Sequence, residues 1–144
     1  MTTKKLPVLM HIALTMKAIE RAFRKDVQAL KLDLPSESFG ILLIAYFQEN
    51  SIQQEIAEMA HKDKSVVLRL IDTLENKGFI RRVTDGQDRR KNLIVTTDEG
   101  KKIAEAIVRR GKKLFGSLSS RIEKQDMATF VKVLLTLKNN AELY

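Results

Sequence analysis

The chain has 144 residues, 44% hydrophobic and 31% charged, with no cysteine and a formal net charge of +8. That size suits one compact domain with flanking extensions, and the balance is that of a globular protein, without an apolar run long enough to span a membrane. The absence of thiols excludes disulfide staples, thiolate zinc sites and cysteine redox switches. A pI near 9.8 favours a polyanionic partner, with nucleic acid ahead of an anionic membrane.

The N-terminal segment has two lysines and apolar residues, as a weak secretory signal would. Lys17, Glu20, Arg21 and Arg24 interrupt it early and no small-residue cleavage site closes it, so a cytoplasmic protein is expected. From Met10 to Leu30 the apolar residues Ile12, Met16, Ile19, Phe23, Val27 and Leu30 recur in steps of three and four, which predicts an amphipathic helix. Asp33-Leu34-Pro35-Ser36 punctuates the chain and opens a second helix, with Asp or Ser suited to its N-cap. This helix is apolar nearly all round, from Phe39 through Phe47, and is therefore expected to be buried. Ser51 followed three residues later by Gln54 reads as a capping box for a third helix, with Ile56, Ala57 and Met59-Ala60 inward.

A fourth helix runs from about Lys64 to Lys77, with Val67, Leu70, Ile71 and Leu74 toward the core. Gly78 stands at the C′ position that favours a left-handed conformation. The period then changes to that of strands. Phe79–Thr84 and Asn92–Thr96 form a hairpin around the turn dipeptide Asp85-Gly86 and a charged tip from Gln87 to Lys91. Thr97-Asp98-Glu99-Gly100 caps a long fifth helix with Ile103, Ile107, Leu114 and Leu118 inward and Gly111 and Gly116 as places where it can bend. A sixth helix, from about Lys124, carries Met127, Phe130, Val131, Leu134 and Leu137.

The predicted fold is mainly α with a small β-hairpin wing: a winged helix-turn-helix at about 34–97, flanked by dimerisation helices at 6–31 and 98–144. Helix, short connection, helix and basic hairpin have a specific physical use. The major groove of B-DNA admits one α-helix, whose exposed face must carry donors and groups that meet thymine methyls. Between His61 and Lys91 stand nine basic and five acidic residues, so half of the chain's net charge lies on this one unit.

The segments Gln53–Ala57, Asp63-Lys64-Ser65, Arg69–Ile80, Asp85–Arg90 and Leu93–Gly100 together resemble the MarR (multiple antibiotic resistance regulator) family. Each piece is degenerate, and the series in this order and spacing is specific. The resemblance implies a homodimer in which the first, fifth and sixth helices entwine, with Ile12, Met16, Ile19, Phe23, Phe130, Leu134 and Leu137 at the interface. The fourth helix offers Lys64, Ser65, Val66, Leu68, Arg69 and Asp72 on its exposed face, and the resemblance implies that it is the recognition helix, with Arg69 at a position that commonly reaches DNA. The wing would use Arg82, Asp88, Arg89, Arg90 and Lys91. Arg90 matches the minor-groove arginine best and Arg89 is a close second, with Asp88 orienting the arginine. Gln53, Gln54 and Lys62 are expected at the DNA backbone. The sequence departs from the family at Val66 and Leu68, where Thr is common and where apolar side chains can instead meet thymine methyl groups, and at Ile52, which replaces a common capping Thr.

The resemblance thus implies a DNA-binding transcription regulator, a repressor that responds to a small-molecule effector of unidentified chemistry. A winged-helix module that docks on protein is the alternative. No nucleophile–base pair, glycine-rich phosphate loop or carboxylate cluster suggests an enzyme, and no cofactor or metal is expected. His11 and His61 are too few and too separated to hold a metal. Val66 is expected to be exposed and Leu68 less so, while Arg81 and Arg82 alternate across their strand. The cluster Arg109-Arg110-Gly111-Lys112-Lys113 reads as a solvated helix face, and Met10, Met16, Met59 and Met127 as core positions.

Overall fold

A computed structural model describes residues 5–144; Met1–Lys4, the start of the segment weighed as a secretory signal, lie outside the described residues. The elements are α1 (Val8–Gln28), α2 (Ser36–Phe47), β1 (Ser51–Ile52), α3 (Gln53–Ala60), α4 (Lys64–Asn76), β2 (Ile80–Thr84), β3 (Asn92–Thr96), α5 (Asp98–Leu118) and α6 (Lys124–Glu142). Two compact units divide within α5, one running through Gly111 and the other from Lys112 to Tyr144. Among the described residues no helix is long and apolar enough to cross a membrane.

The first unit is built on one aliphatic core. Val27 of α1, Ile41 and Leu42 of α2, Ile56 of α3, Val67, Ile71 and Leu74 of α4, Ile80 of β2, Ile94 of β3 and Ile107 of α5 are almost wholly removed from water. Each such side chain contributes about 2 kcal/mol of transfer free energy. The sheet has the order β1-β3-β2, antiparallel throughout. β2 and β3 pair from Ile80 with Thr96 to Thr84 with Asn92, and β1 adds Ser51 opposite Ile94.

Several local expectations need correction. Ser51 does not cap α3: it lies in β1, and its hydroxyl donates to the Gln48 carbonyl at 3.0 Å. The reciprocal bond comes from Glu55, whose carboxylate accepts the Ile52 N–H at 2.9 Å. Pro35 occupies the α2 N-cap without any side-chain hydrogen bond, so neither Asp33 nor Ser36 caps that helix. Phe47 is 63% exposed at the end of α2, where the helix has run past the core. Met10, Met16 and Met59 are exposed, not core, and Leu118 is exposed beyond the buried part of α5. Ile103 is half-buried and Ile107 buried, as their helical spacing requires.

In the second unit, α6 has no buried residue at all, and Phe130, Val131, Leu134 and Leu137 are each between 42% and 48% exposed.

The joint between α4, the hairpin and α5 is closely packed. Gly78 ends α4 at φ 75°, a conformation that costs side-chain-bearing residues energy. Thr97 then closes the junction, donating its hydroxyl to Gly78 O at 2.6 Å and accepting the Gly100 N–H at 3.0 Å. Its own N–H donates to Phe79 O at 3.0 Å. A Cβ at position 100 would stand 1.8 Å from that same carbonyl oxygen. Backbone cannot yield there as a flexible side chain could. Gly100→Ala is expected to destabilise the fold by about 3 kcal/mol or more, a fall of roughly 10 °C in thermal midpoint. A midpoint within about 2 °C of the parent would mean that the approach is not a structural constraint.

Candidate nucleic-acid interface

The turn between α3 and α4 is set by two residues with different tasks. His61 adopts a left-handed conformation (φ 48°) and ends α3, and the Lys62 N–H donates to Ala57 O at 3.1 Å. Asp63 then starts α4: its carboxylate accepts the Ser65 hydroxyl at 2.5 Å and the Ser65 N–H at 2.7 Å. Those two bonds, the hydroxyl's first, hold the Asp63 carboxyl below its ordinary value. With Val67, Leu70, Ile71 and Leu74 inward, Lys64, Ser65, Leu68 and Arg69 are left exposed. Arg69 has no ion-pair partner among the described residues, so it is available to an external anion.

The relative exposure of Val66 and Leu68 is the reverse of the expectation. Val66 is half-buried and packs against the core, whereas Leu68 is 41% exposed. At 100° per residue, position 66 lies about 90° from the centre of the buried stripe and position 68 about 110°. That small difference decides which of them reaches outward.

The wing tip is a closed seven-residue loop, with Asp85 N–H donating to Lys91 O and Lys91 N–H to Asp88 O, both at 2.9 Å. Asp85 accepts the Gln87 N–H at 2.8 Å, and Asp88 accepts the Arg90 N–H at 3.1 Å and its Nε at 3.2 Å. The Arg90 side chain and then its backbone hold the Asp88 carboxyl below its ordinary value. The Arg90 side chain nevertheless remains 91% exposed. The pair therefore aims the guanidinium without covering it.

Arg82, expected on the DNA face of the wing, is held by two carboxylates of α4. Its Nη2 meets Asp72 at 2.5 Å, its Nη1 meets Glu75, and its backbone N–H donates to Glu75 at 2.9 Å. Burial works against its charge, yet the two carboxylates outweigh that and raise its pKa above the ordinary arginine value. Its strand neighbour Arg81 is exposed. Glu75 is the residue that the sequence reading missed. The available signal was an acidic pair, Asp72 and Glu75, one turn apart on a helix expected to face phosphates.

Gln53 and Gln54, at the start of α3, line a hollow of about 280 Å³ together with Arg82, Arg90, Lys91 and Asn92. The structure thus brings together the two glutamines expected at the DNA backbone and the wing. Lys62 stands apart from them, paired with Glu37 at 2.9 Å; that contact lowers the Glu37 pKa. Lys62 also lines a second hollow, of about 310 Å³, between α1 and α2, with Phe23, Phe39 and Leu43 as its apolar wall.

Of the interface residues expected on α1, Ile12 and Met16 are exposed, while Ile19 and Phe23 are half-buried. Arg110 is not a solvated cation: it donates to Asp26 O at 3.1 Å and pairs with Asp26 Oδ1 at 3.4 Å, closing the C-terminal turn of α1. Among the described residues no His, Asp and Glu cluster has the geometry of a metal site.

A capped helix with an exposed polar and basic face, followed by a hairpin with a bare arginine at its tip, is a winged helix-turn-helix. Residues 34–91 match the MarR family. The chain is 30% identical over 133 residues to the helix-turn-helix-type transcriptional regulator YfiV of Bacillus subtilis strain 168, covering 90% of this chain and 83% of that one. Among solved structures, the transcriptional regulator PA3341 superimposes with a TM-score of 0.83 at 23% identity, covering 96% of this chain and 100% of the other. The PcaV regulator of Streptomyces coelicolor, solved with its natural ligand, gives 0.70 at 17% identity, covering 96% and 99%. The chain belongs to the MarR family and is a DNA-binding transcription regulator, not an enzyme.

Removing the α4 cap should act on the exposed face of α4 directly. In Asp63→Ala, amide exchange at Ser65 and Val66 is expected to accelerate at neutral pH and the thermal midpoint to fall. Because the folded-state pKa of Asp63 is depressed, its contribution is complete above the unfolded carboxylate value of about 3.9 and is lost as pH falls through the lower folded value. Unchanged exchange at both amides would show that the cap does not hold this turn.

Proposed function

We propose that the chain acts as a homodimeric repressor in the cytoplasm, binding a pseudo-palindromic operator and losing affinity for it when a small effector binds. The observation that carries this reading is the nearly bare Arg90 guanidinium, aimed by Asp88, on the same unit as the exposed face of α4. Lys64, Ser65, Leu68 and Arg69 would meet the major groove. Arg90 would enter the minor groove, with Arg89 second. Gln53, Gln54 and Lys91 would contact phosphates, and Lys62 would do so by exchanging Glu37 for a phosphate oxygen.

Uncovered apolar surface supports the dimer. Leu9 and Met16 of α1 are 76% and 60% exposed, and α6 buries none of its residues. A monomer rarely leaves so much apolar side chain in water, and a second copy covers it with two-fold symmetry. The hollow between α1 and α2 supports an effector site, since PcaV, which shares the fold, was solved with its natural ligand. An occupant there would contact both α1 and Lys62, at the turn leading into α4.

Two measurements test this. Sedimentation should give twice the 16.4 kDa chain mass, and Phe130→Glu should shift it toward one; a wild-type monomer would remove the dimer. In fluorescence anisotropy with a random duplex, affinity should fall steeply with salt. Arg90→Ala should reduce the logarithmic slope by about 0.9, the loss of one cation that displaces counterions. If wild type binds no duplex at low salt, the hairpin's partner is a protein instead.

A further inference from the structure

The wing and the recognition helix are joined by one arginine. Arg82 lies in the middle of β2, opposite Ile94 of β3, and β2 is an edge strand. The outer edge of β2 is met there by Glu75, which accepts the Arg82 backbone N–H at 2.9 Å and also receives the guanidinium through its other oxygen. The second guanidinium nitrogen reaches Asp72 at 2.5 Å, one turn earlier on α4. A helix side chain therefore occupies both the strand edge and the side chain of a single residue. Such a fork is restrictive in direction as well as distance. It also offsets one of the two negative charges that these carboxylates place on the helix that must approach phosphates.

We propose that Arg82, anchored by Glu75 and Asp72, is a positioning residue for DNA recognition. It makes no phosphate contact and fixes the separation between the recognition helix and the wing. This rests on the reading of α4 and the wing as the DNA-binding surface. A wing free to shift against α4 would still bind phosphates, but would no longer place its arginine and the α4 side chains in register on one site.

The test compares a random duplex with a duplex selected from a randomised pool by the wild-type protein, both titrated across salt concentrations. Arg82→Lys keeps the charge but cannot bridge two carboxylates in one plane. It is expected to lower the selected-to-random affinity ratio about tenfold, the equivalent of one lost base contact, with the random-duplex slope unchanged. Glu75→Ala should lower the ratio similarly although it removes an acid, and the double variant should be no worse than either single one. Glu75→Gln keeps an acceptor for the Arg82 N–H and should retain part of the ratio.

The proposal is overturned if Arg82→Lys keeps the wild-type ratio while Arg82→Ala lowers the slope by about 0.9, since that is how a phosphate contact behaves. It is equally overturned if Glu75→Ala tightens both duplexes alike. Circular dichroism and thermal unfolding identify variants that are merely unfolded, in which case the conservative pair Arg82→Lys and Glu75→Gln decides. Wild type binding neither duplex would sink the DNA reading itself, a result separate from any effect of the variants.

Discussion

The first unit depends on a single close approach, that of Gly100 to the Phe79 carbonyl. Three elements end or begin within a few residues of this contact: α4 just before Gly78, β2 after Phe79, and α5 after Thr97. Thr97 bonds to the last residue of the α4 exit and to the first turn of α5, and its N–H bonds the carbonyl that Gly100 faces. With the strand register also set by Ile80 opposite Thr96, the axis of α4 and the plane of the hairpin cannot vary independently at their common root. A winged helix-turn-helix needs this rigidity because its two contact elements read one rigid ligand. The glycine serves close packing, and the threonine satisfies the backbone groups that packing would otherwise strand.

Charge along the DNA-binding unit is organised by pairing as much as by excess. Of its nine basic residues, Lys62 is paired with Glu37, Lys77 with Asp33 at 2.7 Å, and Arg82 with Asp72 and Glu75. Counting net charge therefore overstates the number of cations ready to meet phosphate. The pairs also differ in kind. Those of Lys62 and Lys77 lie at the surface, where water and salt screen them and a phosphate can compete for the lysine. That of Arg82 is three-quarters withdrawn from solvent on the arginine side and holds a strand edge as well. Arg90 is the opposite extreme, oriented by Asp88 yet left in water. The basic side chains of this unit thus stand in three different states: paired at the surface, paired and withdrawn from water, and oriented but bare.

The end of α4 and the hairpin were legible because each is marked by a residue with a local reason: Gly78 for its positive φ, and Asp85-Gly86 for the turn; the cap at Asp63 emerged only from the structure. Local chemistry fails where the partner is distant in sequence. β1 is two residues long and exists only because β3 offers it an edge, so no periodicity announces it. The hydroxyl of Ser51 looked like a cap, but β pairing turned it elsewhere. Alternation along β2 says that Arg81 and Arg82 point oppositely, and cannot say which of them meets an acidic pair on a helix. The methionines misled for a different reason. Their helical spacing marks an apolar stripe correctly, but a stripe does not reveal whether it is covered by the same chain or by another.

That last ambiguity bears on how the protein would read DNA. In the proposed dimer, the exposed apolar faces of α1 and α6 hold two recognition helices at one separation, and half-sites one turn of B-DNA apart lie about 34 Å from centre to centre. Two kinds of slack could defeat such a reader: movement between subunits, and movement of each wing against its own helix. An effector that acts on subunit spacing is useful only if the second kind is suppressed, since otherwise each half-site would be read loosely in every state. The Gly100 junction suppresses it at the root of the hairpin, and the Arg82 fork suppresses it halfway along β2. Rigidity within the subunit is thus what would allow a small change between subunits to become a large change in affinity.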